Sequence, residues 1–220
     1  MKTHEIYIYD EIGPDYYGLV SGKSFVDGLK EFSATDGDKL VVRINSPGGD
    51  VFQAKAIGQA IERWVGPTVA EIDSIAASAA TFIALKADEV TMAEDAMFMI
   101  HNAWTVAMGD AAELRHAANT LDMIGGTIID SYEQKTGLDR GQIVDMMDAE
   151  TWMTAQQAAD HGFVDNISSP QKIAACIRPG MFSRLPDGWK PAEKTQHQKS
   201  VLSPELVKYK VELRRRTLGA

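Results

Sequence analysis

Leu40-Val41-Val42-Arg43-Ile44-Asn45 is a β-rich run that ends on Ser46-Pro47-Gly48-Gly49-Asp50, and a helical period starts at once. Val51, Ala54, Ile57, Ile61 and Trp64 share one helical face, Pro67 stops the element, and Thr68-Val69-Ala70-Glu71-Ile72 reads as the next strand. A strand, a tight glycine turn, a helix and a second strand in that order commit the chain to parallel pairing through a crossover.

The alternation extends along the chain. Glu5–Tyr9 predicts a strand, Gly13-Pro14-Asp15 a turn, and Ser24–Phe32 a helix capped by Ser24 and built on Phe25, Val26, Leu29 and Phe32. A helix is expected from about Ser78 to Ala87, then strands at Glu89–Met92 and Ala96–Ile100. Ala111 to about Lys135 predicts a long helix, bent or interrupted at Gly125-Gly126, and Gly141–Met147 a shorter one. Thr154 and Gln157 form a capping box, Gly162 ends that helix, and Phe163-Val164-Asp165 reads as the last strand. The expectation is an α/β fold with a largely parallel sheet.

A change of composition divides the chain into residues 1–167 and a linker with a basic C-terminal tail over 168–220, punctuated by Pro170, Pro179-Gly180, Pro186 and Pro191. Residues 1–170 hold 11 Lys/Arg against 27 Asp/Glu, whereas residues 181–220 hold 9 against 4. The acidic body argues against nucleic acid as a partner of the core domain. In the tail, Pro204–Leu218 can form a basic amphipathic helix suited to a partner contact. The single cysteine, Cys176, excludes an internal disulfide, and no Cys/His spacing suggests a metal. The N-terminus lacks a signal-peptide core, and the nearly apolar run Ile75–Leu85 is shorter than the ~20 residues a membrane span needs. A soluble, cytoplasmic protein is expected.

Three segments carry possible chemistry. Ser78 lies in the small-residue run Ser74-Ile75-Ala76-Ala77-Ser78-Ala79-Ala80-Thr81, ahead of a helix whose first N–H groups lack intrahelical partners. There the Ala79 N–H could face a developing oxyanion, and small neighbours would let a substrate backbone approach; taken alone, the run reads more readily as tight core packing. Gly48-Gly49 offers further exposed N–H groups, or simply a turn. His101 closes the run Met97-Phe98-Met99-Ile100, at a strand end suited to a base. Asp148 and Glu150 stand two residues apart, so an extended backbone would point both carboxylates to one side, where either could orient the histidine.

Ile44-Asn45-Ser46-Pro47-Gly48-Gly49, Ala76-Ala77-Ser78-Ala79, Met99-Ile100-His101, Trp152-Met153-Thr154-Ala155 and Gly162-Phe163-Val164-Asp165 together resemble the Clp protease proteolytic subunit, most closely the ClpP-like head maturation proteases of tailed phages and prophages. The resemblance covers roughly residues 5–167. It implies Ser78 as nucleophile, His101 as general base and Glu150 as the acid, where most family members have aspartate, with Asp148 as the alternative acid. It further implies an oxyanion hole from Gly48, Gly49 and Ala79, and a substrate strand held between Asp50-Val51 and the segment from Trp104 to Val106. The implied fold is the ClpP/crotonase-like spiral of ββα units, with the helix around Ala111–Lys135 projecting as a handle for ring assembly.

A homo-oligomeric ring of six or seven subunits, single or stacked in two, follows from the same resemblance, as does a polypeptide substrate, and no cofactor is implied. The chain has no Gly-x-x-x-x-Gly-Lys-Ser/Thr loop, so ATP dependence would need a separate Clp-type ATPase. The start of the chain does not resemble the segment such subunits place near that partner. The expected function is therefore ATPase-independent serine endopeptidase action on capsid or scaffold protein, in the host cytoplasm or the assembling prohead. The rival readings are a crotonase-fold acyl-CoA hydratase or hydrolase and a catalytically silent ring-forming assembly protein.

Overall fold

The structure, a computed structural model, describes residues 1–170 and Phe182. The expected tail, with its helix at 204–218, lies outside the described residues except for 168–170 and Phe182. The described elements are strands β1 (Thr3–Ile8), β2 (Lys39–Ser46), β3 (Thr68–Ala77), β4 (Glu89–Ala93), β5 (Met97–Ile100), β6 (Thr151–Thr154) and β7 (Asn166–Ser168). Between them run helices α1 (Gly22–Glu31), α2 (Val51–Glu62), α3 (Ala79–Ala84), α4 (Ala111–Thr136), α5 (Arg140–Asp148) and α6 (Ala155–Asp160).

The seven strands form one sheet in the order β1-β2-β3-β4-β7, and every pair on that path is parallel. β3 is the pivot. Its first half pairs with β4 through Val69–Ile72, and its second half pairs with β5 through Ile75–Ala77. β6 then adds antiparallel to β5. The fork in β3 brings the end of β5 beside the residue that follows Ala77.

Burial follows the strand period. Ile72, Ala76, Phe98 and Ile100 face the main core, which α2, α3 and the C-terminal half of α4 cover. Ile75, Ala77 and Met99 face the other side, where Trp152 and Phe182 pack on them. In α4 only Ile128, Ile129 and Tyr132 are buried, so its first four turns project, with Leu114 and Met123 exposed.

Several sequence expectations shift by a few residues for clear reasons. Ser21, not Ser24, caps α1, and Ser24 is the N3 partner of its capping box. A single 3-10 turn occupies Asp15–Tyr17 in the expected turn. Helix α4 runs unbroken through Gly125-Gly126, because these glycines lie on its sparsely packed side and nothing there requires a bend. Phe163-Val164-Asp165 is non-strand backbone with Phe163 and Val164 buried, and the strand is the next three residues, Asn166–Ser168. Asp165 instead ties the turn to β4: its N–H donates to the Val90 carbonyl, and its Oδ2 accepts from the Val90 N–H.

Candidate active site

The small-residue run is strand up to Ala77, and Ser78 is the turn into α3. There Ser78 has φ 55° and ψ −126°, a conformation that an L-residue adopts only when its surroundings impose it. Its N–H donates to the Met99 carbonyl at 2.9 Å, and its carbonyl accepts from the Thr81 N–H at 3.0 Å. The serine hydroxyl does not cap the helix. It meets His101 Nε2 at 2.8 Å. Helix α3 has six residues, so its dipole adds little, and the local backbone N–H groups carry the electrostatics.

The Gly48-Gly49 turn closes over the same spot. Gly48 has φ 90° and Gly49 φ 139°, both in the region that favours glycine. A Cβ on Gly48 would lie 2.5 Å from the Ala77 carbonyl oxygen and 2.8 Å from the Ala79 nitrogen. The turn is held from the other side by Ile12, whose N–H donates to the Gly48 carbonyl and whose carbonyl accepts from the Asp50 N–H. The Gly48 N–H is taken by Ser46 Oγ at 3.2 Å. Among the described residues, the N–H groups of Gly49 and Ala79 donate to no other protein group. That distinguishes Gly49 and Ala79 from Gly48 as available donors.

Strand register explains how the acid side is built. The antiparallel pairs Met99↔Trp152 and Ile100↔Thr151 bring the end of β5, just before His101, beside the start of β6, just after Glu150. Glu150 has φ 51°, and it and Ser78 are the two non-glycine residues with positive φ among the described residues. The expectation of an extended backbone through 148–153 is corrected here. Asp148 is the last residue of α5, Glu150 sits in the turn before β6, and both line the cleft beside His101. Asn102 Nδ2 donates to Asp148 Oδ1 at 2.6 Å. The Glu150 carboxylate acts on His101 through its charge: burial pushes the imidazole below its usual value, and Glu150 opposes that shift.

Two recesses flank the pair. On the Ser78 side, Val51, Ala54, Phe82, Ile128 and Tyr132 line an apolar pocket that opens beside the hydroxyl. On the Glu150 side, Asn102, Trp104, Asp148 and Phe182 line a wider cleft against His101. Of the residues expected to hold substrate, Val51 lines the apolar pocket, whereas Asp50 is the N-cap of α2 and accepts from the Gln53 N–H. Trp104 borders the cleft, and Val106 is 82% exposed beyond it.

Sequence reading missed three residues. Thr81 and Tyr132 form a buried hydroxyl pair behind Ser78, and Phe182 makes edge contacts with Trp152 and His101 at ring separations of 5.2 and 6.2 Å. Their contacts cross the chain, so no local pattern announces them. No group of three metal-ligating side chains occurs among the described residues, and no described helix is long and apolar enough to cross a membrane.

A hydroxyl on an imidazole, an opposing carboxylate and free backbone donors can together generate an alkoxide nucleophile and hold the oxyanion it creates. Residues 6–171 match the family described as Clp protease. The "ATP-dependent Clp protease proteolytic subunit 1" of Chlamydia abortus is 30% identical over 156 residues, covering 67% of this chain and 81% of the relative. Its counterpart of the same name in Protochlamydia amoebophila is 30% identical over 172 residues, covering 76% and 81%. A ClpP1 mutant from Listeria monocytogenes superposes with a TM-score of 0.65 at 23% identity, covering 75% of this chain and 91% of that one, which identifies the ClpP-like fold. The chain belongs to the Clp protease family.

Proposed function

We propose that the chain is a serine endopeptidase in which Ser78 attacks the scissile carbonyl, His101 takes the serine proton, and Glu150 orients and stabilises the imidazolium. The observation that carries this reading is the 2.8 Å bond from His101 Nε2 to a Ser78 Oγ held in a strained strand-to-helix turn. The Ala79 and Gly49 N–H groups receive the oxyanion. His101 then returns the proton to the leaving amine, and water repeats the sequence on the acyl-enzyme. A substrate strand lies along Asp50-Val51 and the segment from Trp104 to Val106, with its leading side chain in the apolar pocket beside Val51.

The substrate proposed is capsid or scaffold protein of a tailed phage, cleaved by a ring of identical subunits in the host cytoplasm or the assembling prohead. Support comes from the motif resemblance to head maturation proteases and from the basic region that follows the peptidase domain. The chain has no phosphate-binding loop of its own. The relatives' name carries ATP dependence; for this chain ATPase-independent cleavage is proposed.

Fluorophosphonate labelling tests the catalytic reading. Ser78 is labelled in the purified protein, labelling vanishes in Ser78→Ala, and it falls sharply in His101→Ala. A crotonase-type hydratase would bind coenzyme A and leave Ser78 unlabelled, and a silent assembly protein would form rings without labelling. Mass spectrometry of products formed by the purified protein from capsid and scaffold proteins tests the substrate.

A further inference from the structure

The carbonyl of Ser78 is held by more than the first turn of α3. Besides the Thr81 N–H, it accepts from Thr81 Oγ1 at 2.6 Å. A threonine hydroxyl has one proton to give, and here that proton goes to Ser78. The 2.7 Å contact between Thr81 Oγ1 and the Tyr132 hydroxyl must therefore be donated by the phenol. Burial pushes that phenol up to about 12, so it keeps its proton at any working pH. Thr81 is 0% exposed and Tyr132 1%, which makes the relay Tyr132 to Thr81 to Ser78 a dry one. Tyr132 comes from α4 and is set by its edge-on packing against Phe163, with ring centroids 5.6 Å apart.

We infer that Tyr132 and Thr81 are positioning residues that fix the Ser78–Ala79 peptide plane, so that the Ala79 N–H faces the oxygen of the scissile carbonyl. In a trans peptide the C=O and N–H point in opposite directions. Drawing the Ser78 carbonyl towards the buried hydroxyls turns the Ala79 N–H the other way. The Ala79 nitrogen lies close to Gly48, where a Cβ would come within 2.8 Å of it. A residue at φ 55° and ψ −126° needs such outside restraint, because its neighbours in the chain do not favour that geometry. The Thr81–Tyr132 contact spans 51 residues of sequence and joins the long helix to the nucleophile turn. The inference rests on the peptidase reading of Ser78.

Satisfying two buried hydroxyls would by itself explain the pair, so the test separates aiming from stability. Tyr132→Phe removes only the phenol oxygen, Thr81→Val removes the bond to the Ser78 carbonyl, and Thr81→Ser keeps both bonds. Mis-aimed oxyanion donors cost rate and not substrate affinity. Expected are a kcat lowered about tenfold in Tyr132→Phe and about a hundredfold in Thr81→Val, KM within about twofold, and Thr81→Ser within about threefold of the parent. Inhibition by a peptide boronate, which places an oxygen where the oxyanion forms, weakens in step with kcat. The inference is overturned if Tyr132→Phe and Thr81→Val keep parental kcat, if Thr81→Ser fails to restore it, or if boronate affinity is unchanged. A parent protein that neither cleaves peptides nor takes the fluorophosphonate overturns the peptidase reading, and this inference with it.

Discussion

Asn102 donates to Asp148 Oδ1 at 2.6 Å, so the first of the two neighbouring carboxylates is engaged with the loop after His101. Glu150, next to the start of β6, is the carboxylate whose charge acts on the ring. Glu150→Gln is expected to lower kcat by about 10³-fold or more, in line with losing the carboxylate that orients a catalytic histidine. Asp148→Asn, which can still accept from Asn102, is expected to stay within about tenfold of the parent. Steady-state hydrolysis of a fluorogenic peptide decides between them, and the reverse ranking would transfer the role to Asp148.

The acid limb of kcat/KM should lie below the ordinary histidine value of about 6.5. His101 must be neutral to accept the Ser78 proton, and burial lowers the pH at which it protonates. Activity is therefore full above that lowered value and is lost as pH falls through it. Glu150 works in the opposite direction, so Glu150→Gln should move the limb further towards acid while its plateau drops. A limb that moves upward in Glu150→Gln would contradict the electrostatic role given to that carboxylate.

Gly48→Ala is expected to abolish activity, and Gly49→Ala to cost stability as well. At Gly48 the new methyl would press on the Ala77 carbonyl at 2.5 Å and the Ala79 nitrogen at 2.8 Å, the backbone that carries Ser78. At Gly49 it would lie 2.1 Å from the Ile12 carbonyl, which anchors the turn. Both positions also have φ values that an alanine resists. Loss of at least about 100-fold in kcat/KM is expected for Gly48→Ala, and a fall in the urea midpoint for Gly49→Ala.

What could be read from the sequence was local. The run from Leu40 to Ile72 gave up its strand, turn, helix and strand because each signal lies within a few residues of the next, and Thr154–Gln157 gave its capping box in the same way. Ser21 was hidden by Ser24, since both are good caps and both take part in the same box. Ser78 and His101 could be named, but not their bond, which depends on β3 forking between β4 and β5. The break between α5, which ends at Asp148, and β6 depends on the positive φ of Glu150, a choice that glutamate does not advertise. Thr81 and Tyr132 looked like ordinary helix residues until packing brought them together.

Phe182 lies beyond residue 171, where the match to the family ends, yet it packs beside the Ser78–His101 pair. Its ring meets Trp152 edge-on at 5.2 Å and His101 at 6.2 Å, over the face of the sheet that Ile75, Ala77 and Met99 form. Burial is the leading cause of the lowered His101 value, and Phe182 supplies part of that cover. The other polar groups around the ring are the Ser78 hydroxyl, the Glu150 and Asp148 carboxylates and the Asn102 amide, and Phe182→Ala leaves all four in place. Hydrating the ring favours its charged form, and the remaining Glu150 charge acts in the same direction. The acid limb in Phe182→Ala is therefore expected to move up in pH, with activity at neutral pH reduced and Ser78 still labelled by fluorophosphonate. A partly buried phenylalanine also contributes packing, at about 1–2 kcal/mol, less than the 3–5 typical of a full core position. A pH profile measured beside a thermal melt separates the two effects: an unchanged limb with a lowered Tm would leave Phe182 a packing residue alone.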